Sequence, residues 1–388
     1  MESVHRMLPQ RGDSMTTEKP RLLVFEMRML GDAILSLPFM RSALSKYEVF
    51  VCCNPGAEQI FESIVAHDHL ISWKAPWLAE TGKYRASRWN PEELRVLIRK
   101  LKDVRAELAV SVWPDAREHI LMALSGTPAR LGFPMNRKNY LAHERRWRNR
   151  HLIAGQTLTL LAELALLRPL LTTRLDRANY LQQHLEDWHQ IADAMKLPWD
   201  TSTPWIKAGG HTRNSAVDQF CSAARTRGEQ LWMLHPGARL PSKRWPLHRF
   251  QELVDSVFTP RGLPLVIINP PDSPCPIPRN SRQLVVKTQT LRDLIDVINA
   301  VDLVVCNDSA TSHLASALGK RAITLFSSGS PSWFGPFGNN ESVVKADACS
   351  CSPCMDRCEM PSYVCQDSIT VDMVRVAMEK LQRGKAAT

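Results

Sequence analysis

Nowhere in its 388 residues does the chain carry an apolar run that is both free of charge and long enough to cross a bilayer. A spanning helix needs about 20 such residues. The most apolar long stretch, His151 to Leu171, is interrupted by Gln156, Glu163 and Arg168, which suits a buried or amphipathic helix. Residues 1–20 lack the apolar core of a secretory signal and read as a polar, flexible extension. A cytoplasmic location is the expectation. There the ten cysteines are expected as thiols or metal ligands rather than disulfides. No short-period repeat is visible, which argues against a solenoid or a propeller. Acidic residues are in deficit, 39 against 49 basic ones, for a formal charge of +10. That excess asks for an anionic partner. No nucleic-acid module accompanies it, so nucleic acid is disfavoured; an anionic membrane surface or a phosphorylated substrate remains.

What is present is a strand–helix alternation, run through twice. Apolar runs at Arg21–Glu26, Tyr47–Cys53 and Glu107–Trp113 read as buried strands, with helical spacing between them, as in Pro91–Val104. Leu197 to Asn214 holds two prolines and a Gly-Gly pair and reads as an interdomain linker. Strands then recur at Gln230–Pro236, Leu263–Asn269, Asp302–Asn307 and Arg321–Phe326. Helices are expected at Pro246–Phe258, Leu291–Val301, Ser312–Gly319 and Thr370–Arg383. This rhythm predicts α/β architecture, two doubly wound parallel sheets in tandem. The expected bounds are an extension over 1–20, a first domain over 21–200, a second over 201–369 with a cysteine-rich loop at 349–365, and a terminal helix and tail over 370–388.

In open parallel sheets ligands bind beyond the carboxyl ends of strands, and four polar constellations stand there. The first is Gly31-Asp32 in "MLGDAILSLP". Glycine permits close approach to the backbone, and Asp32 is either a helix N-cap or a general base. The second, "HPGARLPSKRWP", sets Lys243 and Arg244 in a turn before a helix; it suits a diphosphate, or is a solvated surface turn. The third, "NDSATSHLASALGK", holds Asp308, Ser309, Ser312 and His313 where a strand opens into a helix. Asp308 would suit sugar hydroxyls, and the serines with the helix N–H groups would suit phosphate; capping with surface polarity is the alternative. The fourth, "SSGSPSWFGPFG", is a loop whose Trp333 and Phe334 either flank a ligand or pack on their own domain.

Taken in order and spacing, "MLGDAILSLPFMRSAL", "HPGARLPSKRWPLHRF" and "CNDSATSHLASALGKRAITLFSSGSPSWFGPFG" resemble the lipopolysaccharide heptosyltransferases of glycosyltransferase family 9, over about Arg21 to Arg383. The resemblance implies a GT-B fold, two Rossmann-like domains facing an interdomain cleft. It implies inverting transfer of a heptose from ADP-heptose to the lipid-linked inner core, with no cofactor required for catalysis. Carried over residue by residue, Asp32 matches the base. Lys243 matches the lysine on the donor diphosphate, and Asp308 and His313 match the nucleotide-sugar motif, with Gly31, Ser309 and Ser312 beside them. Ala310 stands where many relatives have glycine. "NPPDSPCPIPRN" (Asn269 to Asn280) departs from their Gly-rich turn and helix, because a run of prolines does not sit inside a helix.

The basic stretch Asn136 to His151 carries Arg137, Lys138, Arg145 and Arg146. In such an enzyme it would hold the anionic core oligosaccharide and favour contact with the inner membrane surface; a solvated helix face is the other reading. Cys351-x2-Cys354 is half of a metal-site spacing, and Cys358 and Cys365 could complete four thiolates around structural zinc or iron. A reduced loop without metal is the alternative. Cysteine-rich tails are found in relatives that modify autotransporter proteins, so a protein acceptor is a second reading. A non-catalytic nucleotide-binding protein is a third.

Overall fold

The computed structural model describes residues 18–78, 90–134, 170–177, 183–209, 212, 214–271, 273–338, 343–345, 349, 351, 354, 358–360 and 362–383. The chain divides into two compact units, Met1–Thr201 and Ser202–Thr388. The division falls inside the proline-containing segment that reads as a linker.

The first unit is built on a six-stranded sheet in the order β3-β2-β1-β4-β5-β6, every pair parallel. Its strands are β1 (Arg21–Glu26), β2 (Glu48–Cys53), β3 (Leu70–Ser72), β4 (Leu108–Ser111), β5 (Ala129–Gly132) and β6 (Thr173–Arg174). The helices that matter for the site are α1 (Leu30–Leu35), α2 (Leu37–Lys46), α3 (Pro91–Asp103), α4 (Ala116–Leu124) and α5 (His184–Ala194). The segment after β1 through Lys46 forms two helices that meet at Ser36, with Pro38 in the first turn of the second. Asn90 caps α3 through its side chain, and Pro91 occupies the first turn, where a missing N–H costs nothing. Leu23, Phe25, Ala109, Leu97 and Leu101 are packed without solvent between β1, β4 and α3.

The second unit repeats the plan in the order β12-β11-β10-β7-β8-β9, again all parallel. It comprises β7 (Trp232–His235), β8 (Leu265–Asn269), β9 (Gln283–Lys287), β10 (Leu303–Asn307), β11 (Arg321–Phe326) and β12 (Val343–Lys345). Around it lie α6 (Ser215–Thr226), α7 (Leu247–Leu253), α8 (Leu291–Ala300), α9 (Ala310–Ala317), α10 (Pro331–Phe334), α11 (Val364–Asp367) and α12 (Val371–Arg383). Gly319 ends α9 at φ +70°, a left-handed conformation that favours glycine. Val374 and Met378 of α12 join Trp232, Phe250 and Phe258 in the core, so the C-terminal helix is part of this unit. The proline-rich run after β8 forms no helix among its described residues. It is tied to α7 by Gln251, which donates to Ile277 O and accepts from Ile277 N.

Both sheets have one strand order. Each reverses direction at one point, between β1 and β4 in the first and between β7 and β10 in the second. A crevice opens at such a switch point, beyond the strand ends.

Candidate active site

In the second unit three loops meet at the switch point. They follow β7, β10 and β11. Lys243 Nζ lies 2.7 Å from Asp308 Oδ2, with the lysine side chain 16% exposed and the aspartate 3%. The Phe334 ring centroid is 5.5 Å from the same ammonium. Phe334 thus faces the site, whereas Trp333 turns into its own unit and is buried. Burial pushes the Asp308 carboxyl up, and Lys243 opposes it. His235, half-buried at the end of β7, is held down at about 4 by desolvation and is therefore a neutral ring at pH 7; Thr311 Oγ1 is 3.3 Å from its Nδ1.

The supports of this arrangement escaped sequence reasoning. Buried Asn307 accepts from Trp245 N (3.0 Å) and donates to Pro236 O (2.7 Å), joining the end of β10 to both sides of the Lys243 loop. Ser327 donates to Ser242 O (2.7 Å), and Gln366 of α11 donates to Pro241 O (2.6 Å). An Asn ahead of the Asp was legible; which loops it would join was not, because they are separated by 62 and 71 residues.

The helix α9 starts two residues before the sequence expectation. Ser309 is its N-cap in extended backbone, and its side chain makes no capping bond. The Ser309 hydroxyl oxygen is shielded from solvent and has no hydrogen-bond partner among the described residues. Ser312 donates to Ser309 O at 2.8 Å, and His313 is buried in the next position of the helix. Asp308, Ser309, Ser312 and His313 are thus brought to one helix start beside Lys243. That end carries open N–H groups and a positive partial charge, which suits phosphate oxygens.

Gly329 in the third loop has no room for a side chain. A Cβ there would overlap Asp308 Oδ2, the oxygen paired with Lys243. Gly329→Ala is expected to displace that carboxylate, lower the stability of the protein by about 1–3 kcal/mol and weaken ADP binding. Thermal unfolding and calorimetric titration with ADP check it. Gly56→Ala, whose nearest new neighbour would be 3.7 Å away, is the control expected to change neither.

In the first unit Asp32 is not an N-cap. Met29 holds that place, and Asp32 stands at the third helical position, Gly31 at the second. Its Oδ2 accepts from Met29 N at 3.3 Å, and the side chain remains partly open to solvent. Burial pushes its carboxyl up; His184 and Arg28 pull it down and Glu26 pushes it up. These neighbours belong to a buried charged network that sequence reasoning did not find. Arg28 pairs with Asp115 (3.2 Å) and Glu118 (3.8 Å) and lies 4.2 Å over the Trp113 ring. Burial pushes Glu118 up to about 8. His184 Nε2 is 3.0 Å from Glu26 Oε2 across 158 residues of sequence. Burial favours the neutral imidazole, yet Asp187 and Glu26 outweigh it and raise His184 to about 10. A charged residue closing an apolar strand, Glu26, was the one available signal.

Arg137, Lys138, Arg145 and Arg146 lie outside the described residues, as do residues 1–17 and 151–169 of the expected apolar helix. In the cysteine-rich loop, Sγ of Cys351, Cys354 and Cys358 lie within 4.8 Å of one another and could hold a metal ion. Tetrahedral thiolates at about 2.3 Å from zinc stand close to 4 Å apart, so the spacing fits. Cys365 is not in that group. It is buried in α11 beside the cluster, next to Cys349, whose Sγ lies 3.4 Å from Cys351 Sγ. Cys52, Cys53 and Cys306 are buried in strands, with thiols pushed up by burial, as core residues should be. Among the described residues no helix is long and apolar enough to cross a membrane.

Comparison with known proteins bears on the fold and the family. Lipooligosaccharide heptosyltransferase 2 of Haemophilus influenzae is 26% identical over 120 residues, 28% of this chain and 35% of that protein; the match spans about a third of the relative. Among solved structures, E. coli heptosyltransferase WaaC with ADP superposes with a TM-score of 0.62 at 15% identity, covering 93% of this chain and 99% of that one. E. coli ADP-heptose LPS heptosyltransferase II gives 0.57 at 17% identity over 95% and 100%. The family 9 glycosyltransferase of Veillonella parvula gives 0.60 at 18% over 95% and 99%. At these identities the likeness is one of fold, the α/β architecture of the GT-B class. The family model for glycosyltransferase family 9 (heptosyltransferase) matches residues 156–364, more than half of the chain, and the chain belongs to that family.

Proposed function

We propose that this chain is an inverting glycosyltransferase that moves a heptose from ADP-heptose to the inner core of lipopolysaccharide. The observation that carries the reading is the buried Lys243–Asp308 pair set beside the open start of α9, at the switch point of the second sheet. Lys243 and the helix N–H groups meet the diphosphate, whose charge grows as it leaves. Asp308 holds the lysine in place. Asp32 takes the proton from the acceptor hydroxyl, the freed oxygen bonds to the anomeric carbon, and the bond to ADP breaks on the opposite face. One displacement inverts the centre. The half-buried residue, its carboxyl raised by desolvation, is suited to the base role.

The acceptor is an anionic lipid-linked oligosaccharide, held on the first unit with Arg137, Lys138, Arg145 and Arg146 as the candidate contacts, at the cytoplasmic face of the inner membrane. The matched relatives act, by their names, on lipooligosaccharide and lipopolysaccharide, which favours this acceptor over a protein. Cys351, Cys354 and Cys358 are assigned a structural zinc or iron. Protein purified under reductant is expected to carry about one metal per chain by mass spectrometry, and to lose it in Cys354→Ala.

Incubation with ADP-heptose and a panel of truncated core acceptors tests the reading. An acceptor gaining the mass of one heptose is the expected product. ADP binding without transfer to any acceptor would leave only a nucleotide-binding role.

A further inference from the structure

The displacement described above uses Asp32 alone among the ionisable groups gathered beyond β1. The loop that carries it is held by two carboxylates on consecutive amides. Arg28 N donates to Glu26 Oε1 (3.2 Å), and Met29 N donates to Asp32 Oδ2 (3.3 Å). The other oxygen of Glu26 faces His184 Nε2 at 3.0 Å. On the far side of the imidazole, Nδ1 stands 3.7 Å from Asp187 Oδ2, and Asp187 is paired with Arg177 at 2.9 Å. Trp113 lies against the His184 ring with centroids 4.8 Å apart. Glu26 is 0% exposed and His184 6%. A carboxylate so enclosed is costly unless a cation answers it.

We propose that His184 is a positioning residue for the base: as an imidazolium clamped between Glu26 and Asp187, it fixes the β1–α1 loop and supplies the positive charge that keeps Asp32 ionised. This rests on Asp32 being the base. The charged groups in contact with the imidazole are Glu26 from β1 and Asp187 from its own helix, and Asp32 of α1 is coupled to it through space by charge. Arg28 stands in the same loop as Asp32 but is turned to Asp115 and Glu118 of α4, and Arg177 is spent on Asp187. Without the charge at 184, Asp32 would be left beside Glu26 with only Arg28, whose guanidinium is engaged with Asp115 and Glu118. Its proton would then be held more tightly, and transfer would need a higher pH.

The experiment compares wild type with His184→Gln and His184→Lys in the heptose-transfer assay across pH. In His184→Gln the acid limb of kcat is expected to move up by about one pH unit, a tenfold loss on that limb that recovers at alkaline pH. His184→Lys, which restores the charge, should return the limb to its wild-type place. ADP affinity should be the same in all three. A midpoint does not depend on how much of the sample is folded, so partial misfolding does not obscure it. Should His184→Gln not fold at all, ring 15N shifts of His184 in the wild-type enzyme decide the matter: an imidazolium at pH 7 is expected, and a neutral ring overturns the proposal. An unmoved limb in His184→Gln overturns it equally. Asp32→Asn run alongside separates the two readings. If that variant keeps transfer, the base assignment falls; if it is inactive while His184→Gln leaves the limb in place, only the role of His184 falls.

Discussion

Asp32→Asn is expected to lower kcat for heptose transfer by about 10²–10⁴-fold while leaving ADP affinity unchanged. The substitution is chosen for what it preserves. Asp32 accepts one backbone bond, from Met29 N, and an asparagine Oδ1 can accept the same bond. The start of α1 and the loop after β1 should therefore stay in place, and thermal unfolding should move little. What asparagine cannot do is take a proton. The pH profile of the wild-type enzyme supplies a second check. Burial raises the Asp32 carboxyl, so the ionised form is complete only above the usual carboxylate range. Activity is expected to fall as pH is lowered through that raised value, so the acid limb lies above the usual carboxylate range. Near wild-type transfer by Asp32→Asn would make the residue a structural element of the helix start.

Lys243→Ala is expected to act on two quantities at once. Removing the ammonium takes a charge-assisted contact from the donor diphosphate, and ADP affinity should fall by about 10–100-fold. It also leaves Asp308 enclosed without its cation. Breaking a buried pair from one side costs about 3 kcal/mol, and part of that will be relieved by protonation of a carboxyl that burial already pushes up. The destabilisation should thus be largest at alkaline pH and shrink as pH falls through the raised Asp308 value. Lys243→Ala combined with Asp308→Asn separates the effects. The double variant should regain most of the lost stability, since no charge is left enclosed, and should not regain ADP affinity. Calorimetric titration with ADP and unfolding monitored between pH 5 and 8 read the two quantities independently. Wild-type ADP affinity in Lys243→Ala would remove the lysine from the donor site.

Much of this molecule was written in local pattern. The long buried strands, the helices with Asn90 or Thr370 at their starts and the doubly wound rhythm follow from apolar periodicity and from which backbone groups need a cap. So do the strand-end positions of Asp32, Lys243 and Asp308, because polar residues interrupting apolar runs announce themselves. The short strands β3, β5, β6 and β12 did not, since two to four residues carry too little periodicity to be told from loop, and the five-residue edge strand β9 was missed as well.

Fold class, family and the residues that stand at strand ends could be read from the chain alone. What those residues touch could not. The packing set Asp32 at the third helical position, where its carboxylate accepts from the Met29 amide, left Cys365 outside the group of three thiols, turned Trp333 inward and Phe334 toward Lys243, and gave Glu26 a partner 158 residues away. The reason is physical. Periodicity and caps are set within one turn or one strand, whereas the cost of an enclosed charge is answered by whatever group the packing brings near, and sequence distance does not enter that sum.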